Sequence, residues 1–193
     1  MEAWGLPHRK RCKRWDVEFD AHFLTFSCFQ RRPFLTSPRA CRWFLEAVNA
    51  ARQKQPFDLW AFVLMPEHVH LILWPRDGSR ISPILKAMKL PVSNRVRLWV
   101  REHSPEFLEQ MAERRPNGTV SYRFWQRGGG YDRNLRDDRE LYKKLHYVHN
   151  NPVTRELVAR AGDWQWSSFR AHAFGDNAPI TLNLESMPLP PLT

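Results

Sequence analysis

The sequence is poor in cysteine and in long apolar runs. Its three cysteines, Cys12, Cys28 and Cys41, form neither a CxxC pair nor an even-numbered set, which argues against a disulfide scaffold and a cysteine-rich zinc module. No stretch approaches the ~20 consecutive apolar residues of a membrane span. The basic N-terminus also lacks the apolar core of a secretory signal. We therefore expect a cytoplasmic protein with no membrane partner.

Acidic residues are also scarce relative to basic ones. Asp and Glu total 20 against 30 Lys and Arg, which gives a net charge of +10 and predicts a polyanionic partner, nucleic acid before an acidic membrane surface. Hydrophobic residues make up 42% of the 193, enough for one folded domain. We predict a basic arm at 1–17, a domain at 18–175 and a proline-containing tail at 176–193. The arm either lies along the phosphates of a nucleic acid or is a solvated tail.

The order of predicted elements indicates the fold class. Polar breaks and hydrophobic periodicity predict four strands and three helices. Pro91 is expected to kink or divide the second helix, and Asn151-Pro152 to end the third. This order predicts an α+β fold, a ferredoxin-like antiparallel sheet with packed helices and an added C-terminal helix. The predicted strands are 21–29, 58–64, 68–74 and 120–126. The predicted helices run from the Ser37-Pro38 cap to about 54, from about 81 to 102 and from about 137 to 150.

Two histidines share one face of the third predicted strand. His68 and His70 are two residues apart, so their side chains project together, while Val69, Leu71 and Leu73 project to the opposite face. Two imidazoles so placed can bind one cation. The His-x-His pattern is short, and two histidines also occur at this spacing by chance without binding a metal.

A tyrosine and an asparagine share a face of the last predicted helix. Leu141, Leu145 and Val148 define its buried stripe, and Tyr147 and Asn151 lie together on a flank of that stripe. The phenol could act as a nucleophile and the amide as a further metal ligand. Alternatively, the tyrosine ring packs and the asparagine caps the helix.

Three ordered motifs resemble a known family. The segments FVLMPEHVHLIL, FWQRGGGYDRNLRDDRELYKKLHYVHNNPV and DWQWSSFRAH resemble the REP-associated branch of the single-tyrosine HUH transposases, over about residues 23 to 172. The resemblance implies that His68 and His70 bind the catalytic divalent ion, that Tyr147 is the nucleophile and that Asn151 is a third ligand. It also implies a bacterial, nucleoid-associated protein. Glu67, where many members have asparagine, is expected to point away from the histidine face.

The resemblance implies a DNA endonuclease and strand transferase that cuts single-stranded or hairpin DNA through a covalent 5′-phosphotyrosine intermediate. Tyr147 would attack the phosphorus and release a 3′-OH, which needs no ATP because the new linkage is still an ester. We expect Mg²⁺ or Mn²⁺ as the cofactor, because phosphate chemistry favours hard ions. A His₂Glu zinc site would require Glu67 on the histidine face.

Basic residues between the motifs are candidates for DNA contacts. The alternative for each of them is a solvated charge on the protein surface with no DNA contact. The glycine turn at 128–130 either cradles a phosphate or is a loop that binds no ligand. The tryptophans of DWQWSSF are expected in the core. The candidates are Arg80, Lys86, Lys89, Arg95, Arg127, Arg133 and Arg136.

Two other functions remain open from the sequence. A ferredoxin-like sheet with basic loops can hold single-stranded nucleic acid without cutting it, although binding alone requires neither the histidine pair nor Tyr147. A replication initiator or relaxase nickase shares the His-x-His chemistry, but its catalytic domain is usually circularly permuted relative to this order. A monomer and a homodimer are both compatible with the sequence.

Overall fold

The structure is a computed structural model that describes residues 20–191. The arm predicted at residues 1–17 lies outside the described residues. Between residues 20 and 191, no helix has both the length and the apolar character needed to cross a membrane.

Four strands form the main sheet, and two short strands form a separate hairpin. The main sheet has the order β2-β3-β1-β6 and every neighbouring pair is antiparallel; β4 pairs with β5. The strands are β1 (Ala21–Ser27), β2 (Phe57–Leu64), β3 (His68–Pro75), β4 (Ala112–Arg114), β5 (Val120–Tyr122) and β6 (Tyr131–Leu135).

Helices separate these strands in the order expected for a ferredoxin-like fold. The first helix joins β1 to β2, the second follows β3, and the fourth follows β6. The α+β prediction with an antiparallel sheet is confirmed. The helices are α1 (Pro38–Arg52), α2 (Ile81–His103), α3 (Leu108–Met111), α4 (Asp138–Thr154) and α5 (Phe169–Phe174).

The sheet is covered on both faces. Helices α1 and α2 pack on one face with Val69, Leu71 and Leu73 of β3 in a large apolar cluster. Helix α4 packs on the other face, where Ile72 contributes to a smaller cluster. Because side chains alternate along a strand, the histidines of β3 lie on the α4 face. We refer to these as the core face and the site face.

The predicted position of the fourth strand was wrong. Residues 120–122 pair with β4, and the strand at the sheet edge is Tyr131–Leu135. Its sequence, YDRNL, carries polar residues on both faces, including Asp132, which is buried against His22, so hydrophobic alternation did not reveal it. Phe124 and Trp125 are buried without belonging to a strand of the sheet.

Neither proline ends its helix. Helix α2 is continuous through Pro91, which is exposed, while Met88 and Val92 on either side are buried in the core. Burial of this stripe holds the helix across the missing hydrogen bond. Helix α4 includes Pro152 and ends one turn later than predicted, at Thr154, before Glu156 adopts a positive φ of 56°.

Later parts of the chain cover the free edge of β2. The amide of Leu64 donates to the Trp166 carbonyl at 2.8 Å, and the amide of Asn183 donates to the Leu59 carbonyl at 2.9 Å. Trp164 and Trp166 are partly buried against the two clusters. The predicted tail, where described, therefore lies against the domain and protects an edge strand from pairing with another chain.

Candidate active site

Two buried imidazoles face each other at the beginning of β3. The Nε2 atoms of His68 and His70 are 3.0 Å apart, and both side chains are buried. Adjacent ligand atoms of an octahedral ion with bonds of about 2.1 Å also lie about 3.0 Å apart. The spacing of the pair therefore matches that of two ligands on one divalent ion.

Hydrogen bonds at the Nδ1 atoms orient both rings. Glu67 Oε1 lies 3.0 Å from His68 Nδ1, and Thr25 Oγ1 lies 2.7 Å from His70 Nδ1. A carboxylate only accepts, so His68 carries its proton on Nδ1 and a lone pair on Nε2. The Thr25 hydroxyl can donate to His70 Nδ1 or accept from it; when it accepts, His70 Nε2 presents a second lone pair. In that tautomer a cation between the two Nε2 atoms takes both lone pairs, whereas in the other tautomer His70 Nε2–H donates to His68 Nε2. Outer hydrogen bonds such as those at the two Nδ1 atoms are typical of metal-binding histidines.

The predicted orientation of Glu67 was wrong. Its side chain is buried and contacts His68 instead of pointing away from the histidine face. Glu67 precedes β3, in the turn from Met65, so strand alternation does not govern its direction. Burial alone would raise the pKa of this carboxyl, but its contacts with His68 and Arg155 hold the pKa below its usual value.

Helix α4 brings the tyrosine and the asparagine to the histidine pair. The ring centroids of Tyr147 and His70 are 5.3 Å apart, and Asn151 Nδ2 lies 3.4 Å from His70 Nε2. Leu145 and Val148 are buried against the sheet, as the predicted stripe requires. Tyr147 is 47% exposed, so a substrate in solution can reach the phenol.

An aromatic wall supports the tyrosine and His70. The Phe23 ring stacks on His70 with centroids 5.4 Å apart and meets the edges of Tyr131 and Tyr147 at 6.0 and 5.9 Å. The Lys144 ammonium lies 5.3 Å from the centre of the Tyr147 ring. A positive charge over this ring, beside the histidine pair, favours the approach of an anion.

The donor atoms suit a divalent ion. Asn151 Oδ1 is buried and makes no hydrogen bond, which is costly unless a ligand supplies a partner. Burial lowers the pKa of His70 to about 3, so its ring is neutral at pH 7, as a metal ligand must be. Within residues 20–191, no cluster contains three His, Cys, Asp or Glu side chains suited to a metal. The candidate set is therefore two imidazoles and one amide oxygen.

The predicted DNA contacts fall into two groups. Arg80, Lys86, Lys89 and Arg95 lie on or next to α2, which packs on the core face. Arg127, Arg133 and Arg136 lie in or beside the segment that includes β6, and Arg133 shares the site face because it pairs directly with Phe23.

Several of these cations contact other protein groups. Lys89 Nζ donates to the Gly128 carbonyl at 2.9 Å and so joins α2 to the glycine turn. Arg95 pairs with Glu46, and Arg127 pairs with Glu113. These contacts hold the side chains at defined positions on the surface.

A glycine fixes the turn beside the site. Gly130 has a φ of +82°, and a Cβ built on it would lie 2.0 Å from the Thr25 carbonyl oxygen. Only glycine permits this approach and this backbone conformation. The turn therefore packs directly on the residue that holds His70.

Sequence reasoning missed three side chains of the site, Thr25, Arg31 and Arg155, and predicted the wrong direction for a fourth, Glu67. Arg155 follows Tyr147 and Asn151 at spacings of four, on the same helical face. The predicted helix end at Asn151-Pro152 concealed this pattern. Thr25 and Arg31 carried no sequence signal, because their roles depend on strand pairing and on a turn.

Two bacterial transposases are similar to this chain in sequence, although no family model matches it. The chain is 26% identical over 127 residues to a REP-associated tyrosine transposase of Haemophilus influenzae, a match that covers 65% of this chain and 66% of that protein. It is 23% identical to the REP-associated tyrosine transposase of Escherichia coli strain K12 over 81% of each chain.

The resemblance to the REP-associated tyrosine transposases is confirmed. The fold agrees as well, because the structure of a REP-associated tyrosine transposase bound to a REP hairpin superposes with a TM-score of 0.67. That superposition covers 96% of this chain and 100% of the other, at 18% sequence identity. The histidine pair, Tyr147 and Asn151 thus belong to a chain that is similar to these transposases in sequence and in fold.

Proposed function

We propose that this protein is a metal-dependent DNA endonuclease and strand transferase that acts through a covalent 5′-phosphotyrosine at Tyr147. The observation that supports this most is the convergence of Tyr147 and Asn151 from α4 on the facing Nε2 atoms of His68 and His70. A module that only bound nucleic acid would not need this arrangement.

Each residue has a chemical role in this proposal. His68, His70 and Asn151 would hold Mg²⁺ or Mn²⁺, which when bound neutralises phosphate charge and polarises the phosphorus. The Tyr147 oxygen attacks the phosphorus, the bond from phosphorus to the 3′ oxygen breaks, and the phenolic proton is lost as the leaving oxygen gains one. The 5′ phosphate stays on Tyr147 until a 3′-OH reverses the step.

The proposed substrate is single-stranded or hairpin DNA. The net charge of +10 suits a polyanion, and a relative of the same fold has been solved with a REP hairpin. The exposed phenol lies beside Lys144 and on the same face as Arg133, so a phosphodiester that approaches the tyrosine meets positive charge.

Substitution of the proposed nucleophile tests this function. Tyr147→Phe keeps the ring and its contact with Phe23, so we expect DNA binding to persist while the denaturant-resistant protein–DNA adduct falls at least a thousandfold. The assay incubates protein and Mn²⁺ with oligonucleotides that carry hairpins and single-stranded flanks, followed by denaturing electrophoresis.

A second tyrosine on the same helix provides the control. The Tyr142 hydroxyl donates to the Pro188 carbonyl at 2.8 Å, away from the histidine pair, so Tyr142→Phe should form the adduct like the unsubstituted protein. Adduct formation by Tyr147→Phe would refute the assignment. Undiminished cutting in excess EDTA would remove the metal ion from the mechanism.

A further inference from the structure

Two arginines converge on the carboxylate that holds His68. Glu67 Oε1 lies 3.1 Å from Arg155 Nη1, 3.3 Å from Arg31 Nη2 and 3.0 Å from His68 Nδ1. The Glu67 side chain is 10% exposed, whereas the arginine side chains are 66% and 50% exposed. One buried carboxylate therefore fixes an imidazole on one side and two solvent-facing guanidiniums on the other.

Each guanidinium keeps donors for another ligand. A guanidinium has five N–H donors in a planar fork, and the contact with Glu67 uses only part of this capacity. Carboxylates and phosphates suit the same fork, so a fixed arginine with remaining donors is a preferred partner for a phosphate. The pair offers two such forks, separated from the candidate metal ligands by one carboxylate.

The backbone holds both arginines in place. Arg31 and its neighbour Gln30 both have positive φ values, 54° and 53°, a costly conformation for residues other than glycine. Arg155 is the C-terminal capping residue of α4, and its amide donates to the Asn151 carbonyl at 3.0 Å. One arginine is therefore positioned by a strained turn, and the other by the helix that carries Tyr147.

We infer that Arg31 and Arg155 form a phosphate clamp that binds the DNA backbone next to the phosphodiester under attack. This inference rests on the proposed function and extends it, because it assigns a binding site beyond the metal and the nucleophile. Glu67 is the positioning residue of the clamp and also orients His68, so it connects the bound backbone to the reacting centre. The clamp contacts only phosphate and therefore accepts any base sequence.

Binding measurements in a cleavage-deficient background test the clamp separately from the chemistry. The protein is Tyr147→Phe, and the probe is fluorescent oligo(dT) of roughly 16 nucleotides, within the range of single-strand binding sites. We expect Arg31→Gln with Arg155→Gln to weaken binding about ten- to hundredfold. The negative slope of log affinity against log salt concentration should become shallower by about 0.7 for each phosphate that the variant no longer binds.

Exposed arginines elsewhere provide the matched control. Arg160 pairs with Asp163 and is 83% exposed, and Arg170 pairs with Asp176 and is 55% exposed. Arg160→Gln with Arg170→Gln removes the same charge and should weaken binding less than threefold. Equal weakening by the two double variants would overturn the clamp, because it would indicate a general effect of net charge.

A third comparison distinguishes a clamp from simple charge balance. If the arginines only neutralise Glu67, then adding Glu67→Gln to the clamp variant should restore the affinity of the parent. The clamp predicts that binding stays weak, and full restoration would overturn it. If the double glutamine variant does not fold, Arg155→Lys tests the same point, since a point charge without the fork should bind less tightly than arginine.

The experiments distinguish failure of the clamp from failure of the proposed function. A protein that forms no covalent adduct but loses oligo(dT) affinity in the clamp variant would support the clamp and refute cleavage. A protein that forms the adduct, and whose clamp variant binds oligo(dT) with unchanged affinity and salt slope, would refute the clamp alone.

Discussion

The two faces of the sheet use the same strands for opposite purposes. On the core face, β3 contributes Val69, Leu71 and Leu73 to an apolar cluster that includes Phe44 and Trp125. On the site face, the same strand contributes His68 and His70, which hydrogen bonds fix in place. Apolar packing on the core face thus keeps β3 rigid, and this rigidity holds the buried histidines of the site face in position.

The largest difference between the faces should be in stability. Leu71 is fully buried, so Leu71→Ala should lower the free energy of unfolding by about 2–5 kcal/mol through reduced burial and a cavity. Tyr147 is 47% exposed, so Tyr147→Phe should change it by less than about 0.5 kcal/mol. Urea denaturation followed by tryptophan fluorescence measures both. Similar destabilisation by the two variants would contradict the division between the faces.

Two glycines with similar positive φ angles extend this contrast to the edge of the site. Gly118 has a φ of +80° with no atom within 4 Å of a built Cβ, whereas Gly130 has a φ of +82° and a Cβ contact at 2.0 Å with the Thr25 carbonyl. Each change to alanine should cost about 1 kcal/mol for the positive φ. Gly130→Ala should cost at least about 1 kcal/mol more, because the turn or Thr25 must move.

The same glycine pair tests the connection to His70. We expect Gly130→Ala to shift the NMR signals of the His70 ring and Gly118→Ala to leave them unchanged. Unchanged His70 signals in both variants would show that the glycine turn does not support the site.

A smaller effect is expected from the hydrogen bond that orients His70. Thr25→Val keeps the shape of the side chain and removes the hydroxyl that lies 2.7 Å from His70 Nδ1. Loss of such an outer hydrogen bond typically weakens metal binding about 10- to 100-fold, which a calorimetric Mn²⁺ titration measures. Thr36→Val is the control, since that hydroxyl bonds the Pro33 carbonyl. Equal Mn²⁺ affinity in both variants would argue against an orienting role for Thr25.

Strong periodic signals predicted the central parts of the site. The alternation in β3 placed His68 and His70 on one face, and helical spacing placed Tyr147 beside Asn151, because both patterns depend only on local backbone geometry. The resemblance added their expected roles, which remain proposals.

Features that depend on tertiary packing could not be predicted in the same way. The polar edge strand β6 is held by pairing with β1, so its own sequence did not identify it. Packing carries α4 past Pro152 and brings Arg155 to Glu67. Glu67 itself lies in a turn, where no periodic rule gives the direction of a side chain.

The proposed function requires α4 and β3 to form one metal-dependent centre, and a crystal structure of Tyr147→Phe with Mn²⁺ and a hairpin oligonucleotide would test this requirement. We expect an anomalous scattering peak at about 2.1 Å from the Nε2 atoms of both His68 and His70. Asn151 Oδ1 and a DNA phosphate should complete part of the coordination, with the ring at position 147 beside that phosphate. A manganese ion bound elsewhere, or a DNA backbone that passes away from the histidine pair, would show that the two elements do not form such a centre.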